Sequence, residues 1–241
     1  MIQDRQRTIR EPAEVRGVGL HTGEETVVRF LPAPPNAGIR FVRTDLPGRP
    51  AMPARIDFAV DHRDNPRRTT LDDGVVEIGT VEHLLAATAG LGLDNLDIEI
   101  SSSEPCEPDG SSRPFLDVLE KAGIQDQDEL RHYYETRRPI SLQDNGTQRI
   151  LLPHDGLKIT FTIDYPDTLV GTQYASFELD TDVFKSEIAS ARTFALYQDV
   201  EPLRAAGLIK GGSLANALVI TPTEIKSDEP LRWPDEFVRH K

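Results

Sequence analysis

A single cysteine, Cys106, stands in 241 residues, so neither an intrachain disulfide nor a cysteine-rich metal site is available. Basic charge is also scarce: 27 Lys and Arg face 40 Asp and Glu, a formal net charge of −13. Such a chain repels nucleic acid and anionic membrane surfaces over most of its area. That excludes nucleic acid as a partner and leaves anion binding to a local basic patch. Long apolar runs are missing as well. The longest, Leu84 to Leu93, is about ten residues, too short to span a bilayer. The opening MIQDRQRTIREP is charged from position 4 and has no apolar core, so it does not read as a secretory signal. No amphipathic anchor is visible, so at most transient membrane contact is expected, and the chain reads as a cytoplasmic monomer.

What is present is a folded composition, 38% hydrophobic and 28% charged, long enough for one large domain or two of about 120 residues. EETVVRFLPA and AGIRFVRTDL are β-rich runs separated by turn residues, and GVGLHTG (17–23) is a glycine-punctuated connection between strands. An isolated histidine near such a turn, His21, ordinarily bonds to backbone. Thr80 is the expected N-cap of a helix that Gly90 stops, and the alternation of Leu96, Ile98 and Ile100 predicts a half-buried strand. Ser112, Pro114, the Phe115, Leu116 and Leu119 stripe and Gly123 predict a second, amphipathic helix. Asp109 and Gly110 read as a turn before it.

The polar stretch QDQDELRHYYETR carries the expected boundary, giving domains 1–128 and 129–241. The second domain again runs strands first (RRPISLQD, QRILLP, LKITFTIDY, QYASFEL), then helices (DVFKSEIASA, DVEPLRAAGL), then the strand NALVIT. Strands followed by helices in each half are an α+β pattern. WPDEFVRHK ends the sequence as the start of a further helix, with His240 and Lys241 last.

Glu82 and His83 occupy the first turn of the otherwise apolar first helix. Side by side on a helix they diverge by about 100° and converge on one ligand only at the helix mouth. Two readings are open. Glu82 can interact with the helix dipole while His83 packs half-buried. Alternatively, the imidazole is a zinc ligand and the carboxylate accepts a proton from zinc-held water.

GVGLHTG, TVEHLLAATAGLGLDN, EPDGSSRPF, ARTF and DEFVRHK occur in this order and spacing, and together they resemble the UDP-3-O-acyl-N-acetylglucosamine deacetylase (LpxC) family of lipid A biosynthesis, from about residue 3 to the last. The resemblance implies two similarly built domains, each an antiparallel sheet with helices, packed with the helices between the two sheets. It implies a zinc-dependent amide hydrolase that removes the N-acetyl group of UDP-3-O-acyl-N-acetylglucosamine. By that resemblance His83 and His240 are zinc ligands and Glu82 is the general base. Thr193 holds the polarised carbonyl oxygen, Phe194 lines the sugar site and Lys241 meets the substrate phosphates.

Some features depart from the family. Its third zinc ligand, an Asp four residues after the second His, falls at position 244, and its general-acid His lies further on. On that reading the chain is a C-terminally incomplete enzyme. The alternative is a truncated, non-catalytic relative that binds a UDP-sugar or an acyl chain. In HRDNPRRTTL, Arg67 and Arg68 stand where many relatives are more apolar, either facing solvent or pairing with the substrate diphosphate. EPCEPDGS is more polar than usual, and its Cys106 is expected to be inert. His132 and His154 read as solvated, and His62 flanks the arginine pair.

Overall fold

The computed structural model describes residues 4–60, 67–144 and 146–241, so His62 lies outside the described residues. The first half builds β1 (Arg5–Ile9), β2 (Ala13–Val18), β3 (Glu25–Pro32), β4 (Ile39–Arg43), β5 (Ala51–Pro53), β6 (Leu71–Asp72) and β7 (Glu77–Ile78). There follow helix α1 (Glu82–Gly90), β8 (Leu96–Ile100), α2 (Arg113–Ala122) and β9 (Ile124–Leu130). The second half builds β10 (Ile140–Asp144), β11 (Thr147–Leu151), β12 (Leu157–Tyr165) and β13 (Gly171–Leu179). A short α3 (Thr181–Val183) runs into a π-helical turn at Phe184–Ile188. Then come β14 (Phe194–Leu196), α4 (Tyr197–Ala205), β15 (Leu218–Ile220), β16 (Ile225–Lys226) and α5 (Glu236–His240). The class is α+β, with helices few and sheets small.

The main sheet has the order β2-β3-β8-β4-β5, and β14-β15-β16 form a second sheet. Pairing is antiparallel except for β4 with β8 and β14 with β15. One core joins the main sheet to the helices. Phe30, Ile98 and Ile100 of the sheet share it with Leu84 of α1 and with Phe115, Leu116 and Leu119 of α2, all fully buried. Phe115 meets Phe30 edge to face, with centroids 6.4 Å apart. Burying each such side chain contributes about 1.5–3 kcal/mol, so this core fixes where α1 lies on the sheet. A smaller cluster packs Phe237 and Val238 of α5 against Ile163, Leu218 and Ile220. The hairpins β10–β11 and β12–β13 instead leave Leu142, Ile150 and Leu157 more than half exposed.

The predicted strands and helices of the first half appear where the patterns put them, with three differences. Thr80 is not the N-cap: α1 starts from Val81, and Thr80 has φ +54° while its hydroxyl donates to Glu104 Oε1 at 2.7 Å. Gly90 does not stop α1 but is its last helical residue, and Gly92, at φ +66°, makes the left-handed turn beyond it. The stretch QDQDEL, read as a polar boundary, is strand β9, paired antiparallel with β1. In the second half DVFKSEIASA is not one regular helix, because it changes from α3 to the π-helical turn at Phe184.

Candidate active site

The connection between β2 and β3 is organised by one buried carboxylate. Glu104 accepts from the backbone amides of His21 and Thr22, from the Thr22 hydroxyl and from the Thr80 hydroxyl. A fully buried carboxylate is tolerated because donors surround it, and it ties the GVGLHTG loop to the residues entering α1. The ring of His21 does not make the expected backbone bond through Nδ1, which is buried without a partner among the described residues. Burial draws the His21 imidazole below its ordinary range, against the raising effect of Glu104.

α1 presents Glu82 and His83 at its first turn. The Glu82 carboxylate accepts from the Thr69 amide at 3.0 Å, which orients it along the segment that follows Arg67 and Arg68. His83 is buried, and its Nδ1 lies 2.6 Å from Oε2 of Glu107, itself 1% exposed. His83 Nε2 is buried with no hydrogen-bond partner among the described residues. Burial pulls the His83 imidazole down, but the charge and hydrogen bond of Glu107 outweigh it and the net shift is upward. Burial likewise pushes Glu107 up to about 7, against the lowering effect of His83.

The second half brings Thr193, Phe194 and α5 to the same place. The Thr193 amide donates to Gly110 O at 2.8 Å, and its carbonyl accepts from the Leu218 amide at 2.9 Å. Phe194 stacks edge to face on Tyr165 and Phe237. α5 is short, and ion pairs hold it. Glu236 accepts from the Arg192 amide and guanidinium and from the Arg232 amide, while Arg232 also reaches Asp109 at 3.0 Å. Asp109 thus makes the predicted turn, accepting from Ser111, and also bonds across to the second half.

His240 consequently lies beside His83, ring centroids 5.2 Å apart at 66°. Its Nδ1 lies 3.3 Å from Ala191 O. Burial, then the His83 and Lys241 charges, hold the His240 imidazole well below its ordinary range. Lys241 Nζ stands 5.2 Å from the centre of the Phe194 ring.

All six sequence-derived site residues, Glu82, His83, Thr193, Phe194, His240 and Lys241, line one cavity of about 680 Å³. Arg67 and Arg68 line it too, and Arg67 pairs with Asp199 of α4 at 2.7 Å. Leu20, Ile188, Leu203, Leu214 and Val219 form an apolar part of its wall, beside polar groups such as His21, Ser112 and Ser213. His132 is exposed; His154 is exposed and bonds Glu178 at 2.7 Å. Cys106 is fully buried, and burial pushes its thiol up to about 12, matching the inert role expected of it.

The donor set suits a metal such as zinc, which imidazole nitrogen ligates well. A buried Nε2 without a partner is costly unless something binds it, and a second imidazole faces it. Among the described residues no group of three or more His, Cys, Asp or Glu is placed to hold a metal ion, so the two facing imidazoles are the donors that these residues bring together. Glu104 and Glu107 are the residues the sequence reading missed. The only signal was the unusual polarity of EPCEPDGS.

Comparison with known proteins matches residues 6–241 to the family model of UDP-3-O-acyl N-acetylglycosamine deacetylase. The UDP-3-O-acyl-N-acetylglucosamine deacetylase of Methylococcus capsulatus is 42% identical over 240 residues, covering 98% of this chain and 78% of its own length. The proteins of that name from Bdellovibrio bacteriovorus and Myxococcus xanthus are 40% and 41% identical, with 98% of this chain and 77% and 74% of theirs covered. Among the described residues no helix is long and apolar enough to cross a membrane.

Proposed function

The chain belongs to the UDP-3-O-acyl-N-acetylglucosamine deacetylase family, and from that premise we propose that it hydrolyses the N-acetyl group of UDP-3-O-acyl-N-acetylglucosamine, a step of lipid A biosynthesis, with zinc as cofactor. The observation that carries the proposal is the buried Nε2 of His83, without a partner among the described residues, beside the His240 ring, with Glu82 next to it on the cavity wall. His83 and His240 hold the metal. Zinc, when bound, supplies a Lewis acid that lowers the pKa of water and polarises a carbonyl.

The chain's own groups supply the rest. Glu82, oriented by the Thr69 amide, accepts the proton of the water that attacks the acetyl carbon. The Thr193 hydroxyl donates to the oxyanion as charge develops, and its backbone is fixed on both sides for that purpose. The carbon–nitrogen bond then breaks as the nitrogen takes the proton that Glu82 received, which restores the carboxylate and gives acetate and the free amine. Phe194 walls the sugar, Lys241 meets the diphosphate, and the apolar wall takes the acyl chain.

The test is release of acetate from UDP-3-O-acyl-N-acetylglucosamine by the zinc-loaded protein. Acetate at a rate that Glu82→Gln abolishes supports the proposal; an unchanged rate in that variant removes it. One observation favours a second reading, binding of a UDP-sugar or acyl chain without chemistry: no third metal donor converges among the described residues. That reading expects nucleotide-sugar affinity that neither zinc removal nor Glu82→Gln alters.

A further inference from the structure

Behind His83, away from the cavity, stands Glu107. It is not part of the cavity wall, and its side chain is 0% exposed. Its backbone is pinned from both halves of the fold. The Glu107 amide donates to Val18 O of β2 at 2.9 Å, and the Asn216 side-chain amide donates to Glu107 O at 3.2 Å. Asn216 is itself held, accepting from the Ser213 amide at 2.8 Å. The carboxylate therefore meets the imidazole at a set place, 2.6 Å from Nδ1.

The consequence for the ring is chemical. Ionised, as it is at high pH, Glu107 can only accept, so the bond needs the proton on Nδ1. Nε2 then keeps its lone pair, and Nε2 is the nitrogen left buried without a partner among the described residues. The nitrogen not ligated to a metal commonly donates to a carboxylate or carbonyl, which fixes tautomer and ring orientation and makes the ligand more basic. His240 shows the weaker form of the same arrangement, with Nδ1 beside the Ala191 carbonyl at 3.3 Å.

We propose that Glu107 is a positioning residue: it holds His83 as the Nδ1–H tautomer, with Nε2 free for the metal. The proposal rests on the reading of His83 as a zinc ligand. It assigns a role to a residue of EPCEPDGS, and it makes the two imidazoles unequal. His83, backed by a carboxylate, is the stronger donor, and His240, backed by a carbonyl, the weaker.

The test uses the full chain and two variants, Glu107→Leu, which removes the acceptor at similar volume, and Glu107→Gln, which keeps a neutral one. Zinc affinity is measured by chelator competition. His83 ring nitrogens are read by two-bond proton–nitrogen NMR at high pH, with and without zinc. Glu107→Leu is expected to bind zinc about 10–100-fold more weakly, and Glu107→Gln to lose less. The metal-free wild type is expected to show His83 with Nδ1 protonated, and Glu107→Leu to lose that preference.

Equal zinc affinity in wild type and Glu107→Leu, or a wild-type His83 protonated at Nε2, overturns the proposal. If the wild type binds no zinc, the zinc reading fails, and the tautomer comparison still decides whether Glu107 sets the ring. If Glu107→Leu does not fold, the wild-type spectrum decides alone.

Discussion

The imidazoles of His83 and His240 meet edge to face, centroids 5.2 Å apart, although one begins α1 and the other ends α5 in the opposite half of the chain. No local feature holds them together. The α1 partner is fixed by the main core and Glu107, the α5 partner by Glu236 and the smaller core. If both are ligands of one zinc, His83→Ala and His240→Ala each lower zinc affinity by at least about 100-fold. Thr193→Ala leaves zinc content unchanged and slows acetate release by about 10²–10³. Chelator competition beside turnover separates the two classes; full zinc retention in either histidine variant contradicts the ligand assignment.

Glu82 is tied to the Thr69 amide, and on the proposed reading it stands outside the ligand set. Glu82→Gln keeps volume and the capacity to accept from Thr69 but is a far poorer base. Turnover is expected to fall about 10²–10⁴-fold with zinc stoichiometry unchanged. Loss of zinc together with activity would move Glu82 from base to ligand.

Arg192 and Glu236, with side chains 2% and 0% exposed, form the buried pair that clamps α5 to the segment entering β14. Removing one partner strands a buried charge, which costs about 3–5 kcal/mol. Glu236→Ala is therefore expected to lose that much in urea unfolding, and to displace both His240 and Thr193. A loss under about 1 kcal/mol would mean that water reaches Arg192 and the clamp is weak.

The sequence carried what is local and regular. Helix α2 was legible because Pro114, an apolar stripe and Gly123 all describe the same ten residues. The residues that line the cavity together were legible because they lie in short ordered motifs. What was hidden depends on contacts remote in sequence. Thr80 looks like an N-cap, yet its hydroxyl is taken by Glu104 and its backbone turns left-handed. The charged run of β9 carries no strand signal, and pairing with β1 makes it a strand. Glu107 reads as loop polarity until α1 is laid over it, since nothing in EPCEPDGS names His83 as its partner.

Cys106 tests the burial of that same stretch. Burial penalises the thiolate and pushes the thiol up to about 12 in the folded chain, from the 9.0 of a free thiol. The unfolded chain therefore loses its thiol proton first as pH rises. Stability from this group is intact below about 9 and declines between about 9 and 12. At pH 8 the native thiol should resist a disulfide reagent and react at once in denaturant. Rapid reaction in the native protein would show that this stretch opens.

Gly110 couples the two halves at Thr193. It has φ +74°, and a Cβ there would stand 2.0 Å from the Asn216 carbonyl oxygen and 3.1 Å from Thr193 Cγ2. The left-handed conformation alone costs a non-glycine residue about 1–3 kcal/mol. The nearest obstacle is backbone, which cannot rotate aside. Gly110→Ala must therefore push Asn216 away, and Asn216 also holds the Glu107 carbonyl. The Gly110 carbonyl meanwhile accepts from the Thr193 amide. The expected outcome is a loss of more than about 2 kcal/mol in urea unfolding, together with weaker zinc binding and slower turnover. Those two functional losses should appear under conditions where circular dichroism shows the variant fully folded. Full stability with intact turnover would mean that the halves meet less tightly at Gly110 than these distances require.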